Sequence, residues 1–215
     1  MGKILDYLDS RFVLKKPHKA FLERPLPPNV NYFYCFGGIT FVLFLLLLFT
    51  GLLLSIYYVP SESGAYQSIK YIERKVYLGG LMRSLHKWSA NLMVVCLVIH
   101  MIRVFVTGSY KKPRELNWVA GSLLFIVTLG FGFTGYLLPW DQKAYWATVV
   151  GTSMADTVPL IGRYLSLLLR GGTVVDGSTL LRFYSLHILW LPLASLILLW
   201  AHFHMVRQQG ISGGL

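Results

Sequence analysis

The sequence predicts an all-α membrane protein: a bundle of four transmembrane helices, with short surface helices in the long loop before the fourth. Three observations predict it. Only 13% of the 215 residues are charged, about half the share in an ordinary soluble domain. Mean hydropathy is +0.56. Long charge-free runs recur: 28 residues from Tyr32 to Val59, 25 from Leu116 to Trp140 and 24 from Phe183 to Val206. A bilayer core needs about 20 apolar residues as helix, and each run exceeds that.

Residues 1–31 read as an amphipathic interfacial segment ending in Pro25, Pro27 and Pro28. They contain no apolar stretch of the secretory-signal kind. Residues 32–215 read as one transmembrane domain, with spans near 32–59, 80–106, 115–138 and 180–206. The second span rests on fifteen uncharged residues between Lys87 and Arg103, with Arg83 and Lys87 near its start. Residues 60–79 connect the first two spans. The loop 139–179 is too long to be structureless, and helical patterns near 142–150 and 156–169 predict short surface helices. Pro192 lies inside the fourth span, where its missing donor should kink the helix.

The net charge of +11 would suggest nucleic acid in a soluble protein. Here the positive-inside rule accounts for it, and no nucleic-acid partner is expected. Four spans put both termini on one side with the second loop. Eleven of the 20 Lys and Arg fall there; seven lie opposite once Arg83 and Lys87, inside a span, are set aside. Both termini are therefore expected on the cytoplasmic or stromal side of the membrane. Cys35 and Cys96 both lie in or at apolar helices and do not suggest a disulfide framework.

Four of the six histidines form a pattern. His86 and His100 are fourteen residues apart in the second span, about four turns and about 40° short of alignment, so they share a face. His187 and His202 are fifteen apart in the fourth, about 60° past alignment, and share a face less well. Alternating helices make these two spans parallel. His86 is then level with His187, and His100 with His202, at levels about 20 Å apart. A single buried histidine is commonly a hydrogen-bonded core residue, and His18 and His204 are read that way. Two matched pairs suit the axial ligation of two haem irons by neutral imidazole.

Glycines keep the same register. Gly37 and Gly51 in the first span, and Gly121 and Gly135 in the third, are each fourteen apart. Direction places Gly37 and Gly121 level with His100 and His202, and Gly51 and Gly135 level with His86 and His187. Glycine permits the close approach of a haem edge; close helix packing through small residues is the alternative. Arg83, Lys87, Arg103 and Arg207 lie at the right depths to meet anionic haem propionates, or to snorkel to lipid phosphate. A proton-coupled transporter would need carboxylates inside the spans, and the first, third and fourth have none between their ends.

Several stretches carry a family resemblance: YCFGGIT at 34–40, RSLHKW at 83–88, YKKPRELNWV at 110–119, GFTGYLLPWDQKAYWA at 132–147, TLLRFYSLH at 179–187 and MVRQQGISGGL at 205–215. The chain resembles the cytochrome b6 family, the four-helix haem subunits of cytochrome b6f complexes. It also resembles the short, split cytochrome b of related quinol:cytochrome c reductases. The resemblance runs from about Asn29 to Leu215. It is weakest over 12–28, and at Lys87, where photosynthetic members usually carry arginine.

The resemblance implies more than the spacing does. His86 and His187 would hold the haem b near the positive side, and His100 and His202 the one near the negative side. Cys35, by its residues alone a small core cysteine, would carry a third, covalent haem c through one thioether. A quinol pocket at the positive side would be lined by Gly135, Tyr136, Leu137, Pro139, Trp140, Tyr145 and Trp146. The implied function is electron transfer coupled to proton translocation. One electron of quinol oxidation crosses the membrane through this chain; the other goes to a Rieske iron–sulfur protein. Implied partners are a three-helix subunit IV-type protein, the Rieske protein and a cytochrome f or cytochrome c subunit, in a dimeric complex. The chain is then the redox core of a quinol–plastocyanin or quinol–cytochrome c reductase, with an active site incomplete without its partners. The alternative is a di-haem cytochrome b anchor of another redox complex.

Overall fold

In a computed structural model, residues 30–212 are described; the interfacial segment expected over 1–31 lies almost wholly outside them. All regular structure among the described residues is helical. Asn31 caps a 3₁₀ turn, Tyr32–Cys35, by accepting from the Phe33 amide at 3.1 Å. The turn leads into α1, Phe36–Ser55. The elements α2 (Ala65–Lys75), α3 (Gly79–Val106), α4 (Glu115–Leu137), α5 (Gln142–Asp156), α6 (Gly162–Arg170) and α7 (Gly177–Ser185) follow. A π turn, Leu186–Trp190, joins α7 to α8, Leu191–Gln209. Four stretches are long and apolar enough to cross a membrane: Tyr32–Ser55, Gly79–Val106, Glu115–Leu137 and Gly177–Gln209.

The fourth span runs three residues past the expected 206, to Gln209, and two other boundaries differ from the sequence reading for local reasons. The first span ends at Ser55 and not at Val59. The chain turns at Ile56–Tyr57, and Val59 precedes Pro60, which disfavours helix for that residue. The fourth begins earlier, at Gly177, because Asp176 and Thr179 form a reciprocal capping box. The connection 60–79 holds the amphipathic helix α2, whose Ala65, Ser68 and Ile72 turn inward at helical spacing. The surface helices expected in the long loop are α5 and α6. Asp141 caps α5 through the Ala144 amide at 2.8 Å.

The spanning helices pack as two antiparallel pairs, α1 with α3 and α4 with α8. Outward faces keep large apolar side chains exposed, among them Val42, Leu52, Val95, Ile126 and Ile197. The interior instead buries small hydroxyl residues: Thr40, Thr50, Ser89, Thr128, Thr134 and Ser195. Small residues let membrane helices approach closely. The threonine hydroxyls return to their own backbone four residues earlier, as Thr128 does to Leu124 at 2.8 Å.

The fifteen-residue step from His187 to His202 has a structural cause. The π turn contains His187, and the Leu191 amide bonds the Leu186 carbonyl, five residues back. A π turn absorbs one extra residue, so fifteen residues rotate as about fourteen do in a plain helix. Pro192 follows at the start of α8.

Candidate functional site

His86 and His187 face each other across the two helix pairs. Their ring centroids are 6.4 Å apart, with planes at 68°. Nδ1 of His86 lies 2.9 Å from Thr50 Oγ1, and Nδ1 of His187 lies 2.9 Å from Thr134 Oγ1. Each threonine has one hydroxyl proton. Thr50 gives it to the Leu46 carbonyl at 2.7 Å, and Thr134 to the Gly130 carbonyl at 2.8 Å. Toward the imidazoles both hydroxyls can then only accept. Assigned from this network, the proton of each ring belongs on Nδ1, which leaves the Nε2 lone pair free.

Glycine makes room for each ring. A Cβ on Gly51 would stand 3.2 Å from His86 Cε1; on Gly135 it would stand 2.6 Å from His187 Cε1. At the other level the values are 2.9 Å between Gly37 and His100 Cε1, and 3.5 Å between Gly121 and His202 Cε1. Each glycine meets the histidine at its own level. The atoms directly against it belong to the imidazole of the facing helix, so the close approach is glycine to imidazole.

The second level is more open. His100 and His202 line a cavity of 290 Å³ with Tyr34, Arg103, Arg114 and Asn117. Polar groups there are under-satisfied: Asn117 Oδ1 and the Nε atoms of Arg103 and Arg114 are buried without partners. Arg103 lies over the Tyr34 ring at 4.4 Å, and its Nη2 is 3.5 Å from His100 Nδ1.

The other expected residues divide. Arg83 is taken by Glu73 of α2 in an ion pair, while Lys87 and Arg207 are exposed. Cys35 is an exposed free thiol and Cys96 a buried one. His204 stacks on Trp200 with centroids 5.6 Å apart, away from either pair. In the segment 135–146, Leu137 is fully buried while Tyr136 and Trp146 are more than half exposed. Trp140 adopts φ +50° and packs edge-on to Tyr145, which packs edge-on to Trp146. This turn is held from outside the segment. Buried Tyr58 donates its hydroxyl to the Leu138 carbonyl at 2.6 Å and packs with Trp140, Leu180 and Tyr184. Burial, then Tyr184, raises the Tyr58 ionisation well above its ordinary value.

Thr50, Thr134 and Tyr58 escaped the sequence reading. A signal existed for the threonines, since each immediately precedes a registered glycine, in the dipeptides Thr50–Gly51 and Thr134–Gly135.

The residues fit haem. Among the described residues no three His, Cys, Asp or Glu converge, so the bundle offers imidazole pairs. Two imidazoles on opposite faces of one metal, with bonds of about 2.0–2.1 Å, place their centroids roughly 6 Å apart. The 86/187 pair stands at that separation. The 100/202 pair adjoins a cavity whose cations and unpartnered polar atoms suit an anionic, flat guest.

Comparison with known proteins agrees. Residues 21–210 match the family described as Cytochrome b/b6/petB. The chain belongs to the cytochrome b/b6 family. It is 47% identical to cytochrome b6 of Auxenochlorella protothecoides, over all of both chains. Cytochrome b6 of Mesostigma viride and of Cyanidium caldarium match equally, again end to end. Among solved structures, a chain of a "Hyperthermophilic respiratory Complex III" superposes with a TM-score of 0.89 at 33% identity. That match covers 97% of this chain and 56% of the other, so this cytochrome spans little more than half its length. Membership makes the protein an integral-membrane, haem-carrying subunit of electron transport.

Proposed function

We propose that this cytochrome carries one electron of quinol oxidation across the membrane, as the redox core of a b6f- or bc-type complex. The observation that carries the reading is the His86–His187 separation of 6.4 Å, with both Nε2 lone pairs left free by the threonines. His86 and His187 hold one haem b, and His100 and His202 the other. Haem b supplies reversible one-electron exchange between ferric and ferrous iron. Gly51 and Gly135, and Gly37 and Gly121, admit the ligand rings to the interior. Arg103 and Arg114 supply positive charge beside the 100/202 level for propionates. Lys87 and Arg207 contribute from the helix ends, while Arg83 is paired with Glu73.

Cys35, exposed just outside α1, carries a third haem through a thioether at the negative-side quinone site. The turn 135–146 forms one wall of the quinol pocket, with Tyr136, Trp140, Tyr145 and Trp146 presented to the partner subunits. Quinol leaves as quinone with two electrons and two protons released on the positive side. Proton uptake on the other side completes the coupling. A subunit IV-type protein, a Rieske protein and a cytochrome f or cytochrome c subunit complete the complex, which is dimeric. Both termini face the cytoplasm or stroma.

Haem analysis of the purified complex tests this. A pyridine haemochrome assay gives two extractable b haems per chain, and haem stain persists on a band of 24.4 kDa after denaturation. Two b haems without stain remove the Cys35 attachment. Absence of b haem sinks the reading.

A further inference from the structure

The two histidine levels are not equivalent. At the 86/187 level, both Nδ1 atoms meet a threonine hydroxyl at 2.9 Å. At the 100/202 level no hydroxyl does so: His100 Nδ1 faces a guanidinium nitrogen, and His202 meets the Asn117 backbone instead. Both threonines sit in the same local frame, one residue before a glycine that abuts the same ring. The α1/α3 and α4/α8 halves thus each build the motif, at one level only.

We propose that Thr50 and Thr134 are positioning residues that lock His86 and His187 in the Nδ1–H tautomer and lower the reduction potential of the haem they hold. The inference rests on the two-haem reading. An Nδ1–H that donates to oxygen makes Nε2 more basic and so a stronger electron donor to its metal. A stronger donor stabilises ferric over ferrous iron, and second-shell hydrogen bonding is one of the levers a protein has on haem potential. Neither threonine can donate toward the ring without abandoning its own buried carbonyl, so the push is fixed in sign. At the other level, two cations in the cavity wall favour the reduced state, which carries one more electron. At the 86/187 level the nearest expected cation, Arg83, is paired with Glu73. Hydroxyls at one level and cations at the other bias the electron in the same direction, from His86/His187 toward His100/His202.

The test is a redox titration of the purified complex, followed by electron paramagnetic resonance to resolve two low-spin ferric signals. The variants are Thr50→Val, Thr134→Val, Thr50→Ser and Thr134→Ser. Valine keeps the shape and removes the hydroxyl, leaving only the backbone at Leu47 or Phe131 to meet the ring; serine keeps the hydroxyl. Each valine variant is expected to raise the potential of the 86/187 haem by about tenfold in its one-electron equilibrium, or about 59 mV. The other haem stays in place, and serine restores the native value. If a valine variant instead loses haem from the 86/187 level alone and serine restores it, the positioning role also stands. Equal effects on both haems, an unshifted 86/187 haem, or serine variants as impaired as valine would overturn the proposal. A native complex without two b haems would sink the underlying reading; two native haems with no level-selective effect would sink this inference alone.

Discussion

A methyl group on Gly135 would stand 2.6 Å from Cε1 of His187, closer than side-chain carbons pack. The other three registered glycines form a graded series behind it: 2.9 Å at Gly37, 3.2 Å at Gly51 and 3.5 Å at Gly121. Overpacking a tight interior costs about 1–3 kcal/mol. Gly135→Ala is expected to cost most and to displace His187, with haem lost at the 86/187 level. Gly37→Ala acts likewise at the other level. Gly121→Ala makes an ordinary contact and keeps both haems. Haem content per chain across the four variants checks the order; a uniform response would break the link to the rings.

Tyr58→Phe removes the hydroxyl that holds the Leu138 carbonyl. A buried acceptor left unpaired costs about 1–3 kcal/mol, and Trp140, at φ +50°, loses its brace. The variant is expected to raise the KM for quinol several-fold while both b-haem spectra stay native. A changed haem spectrum with unchanged KM would place the effect elsewhere.

The same hydroxyl has a pH signature. Its ionisation is raised in the folded chain, so the unfolded chain loses this proton first, near its ordinary value of 10.0. The stability it contributes is fully present below pH 10 and falls as pH rises above it. Thermal unfolding of the complex between pH 7 and 11 should be flat in this contribution until about pH 10. In Tyr58→Phe the alkaline loss should shrink.

Asp176 gives the opposite sign. Hydrogen bonds from the Ser178 hydroxyl, then from the Ser178 and Thr179 amides, hold its carboxyl below the ordinary 3.8. Its contribution is present above that value and is lost as pH falls through the lower, folded one. Asp176→Ala removes the α7 cap, which also braces the loop against Arg170 through Thr179. Thermal stability should drop at pH 7 and the acid-side difference from the native chain should close. Asn, which keeps an acceptor, should recover part of the loss.

Cys35→Ser should abolish haem stain on the denatured chain and leave the two extractable b haems. Stain that survives the substitution would assign the covalent attachment to another residue.

Much of this was legible in the sequence because charge-free length and histidine spacing survive without knowledge of packing. The four spans announce themselves, and the levels of His86, His100, His187 and His202 follow from counting and direction. What stayed hidden needed partners across helices. Thr50 is next to a glycine in any reading, but its meaning depends on α1 pairing with α3. Arg83 looks free for a propionate until α2, a short amphipathic helix in a stretch read as a connection, brings Glu73 to it. Tyr58 lies 80 residues from the carbonyl it holds.

The π turn can be viewed as a dislocation in the fourth spanning helix. Such a defect would ordinarily slide or anneal as amides exchange carbonyl partners along the ladder. Here Pro192 has no amide to offer the Ile188 carbonyl, so the fault is pinned beside His187. The pinning sets the phase between His187 and His202. One extra residue is stored where it does no harm, and the rotation it would otherwise impose on His202, about 100°, never reaches it.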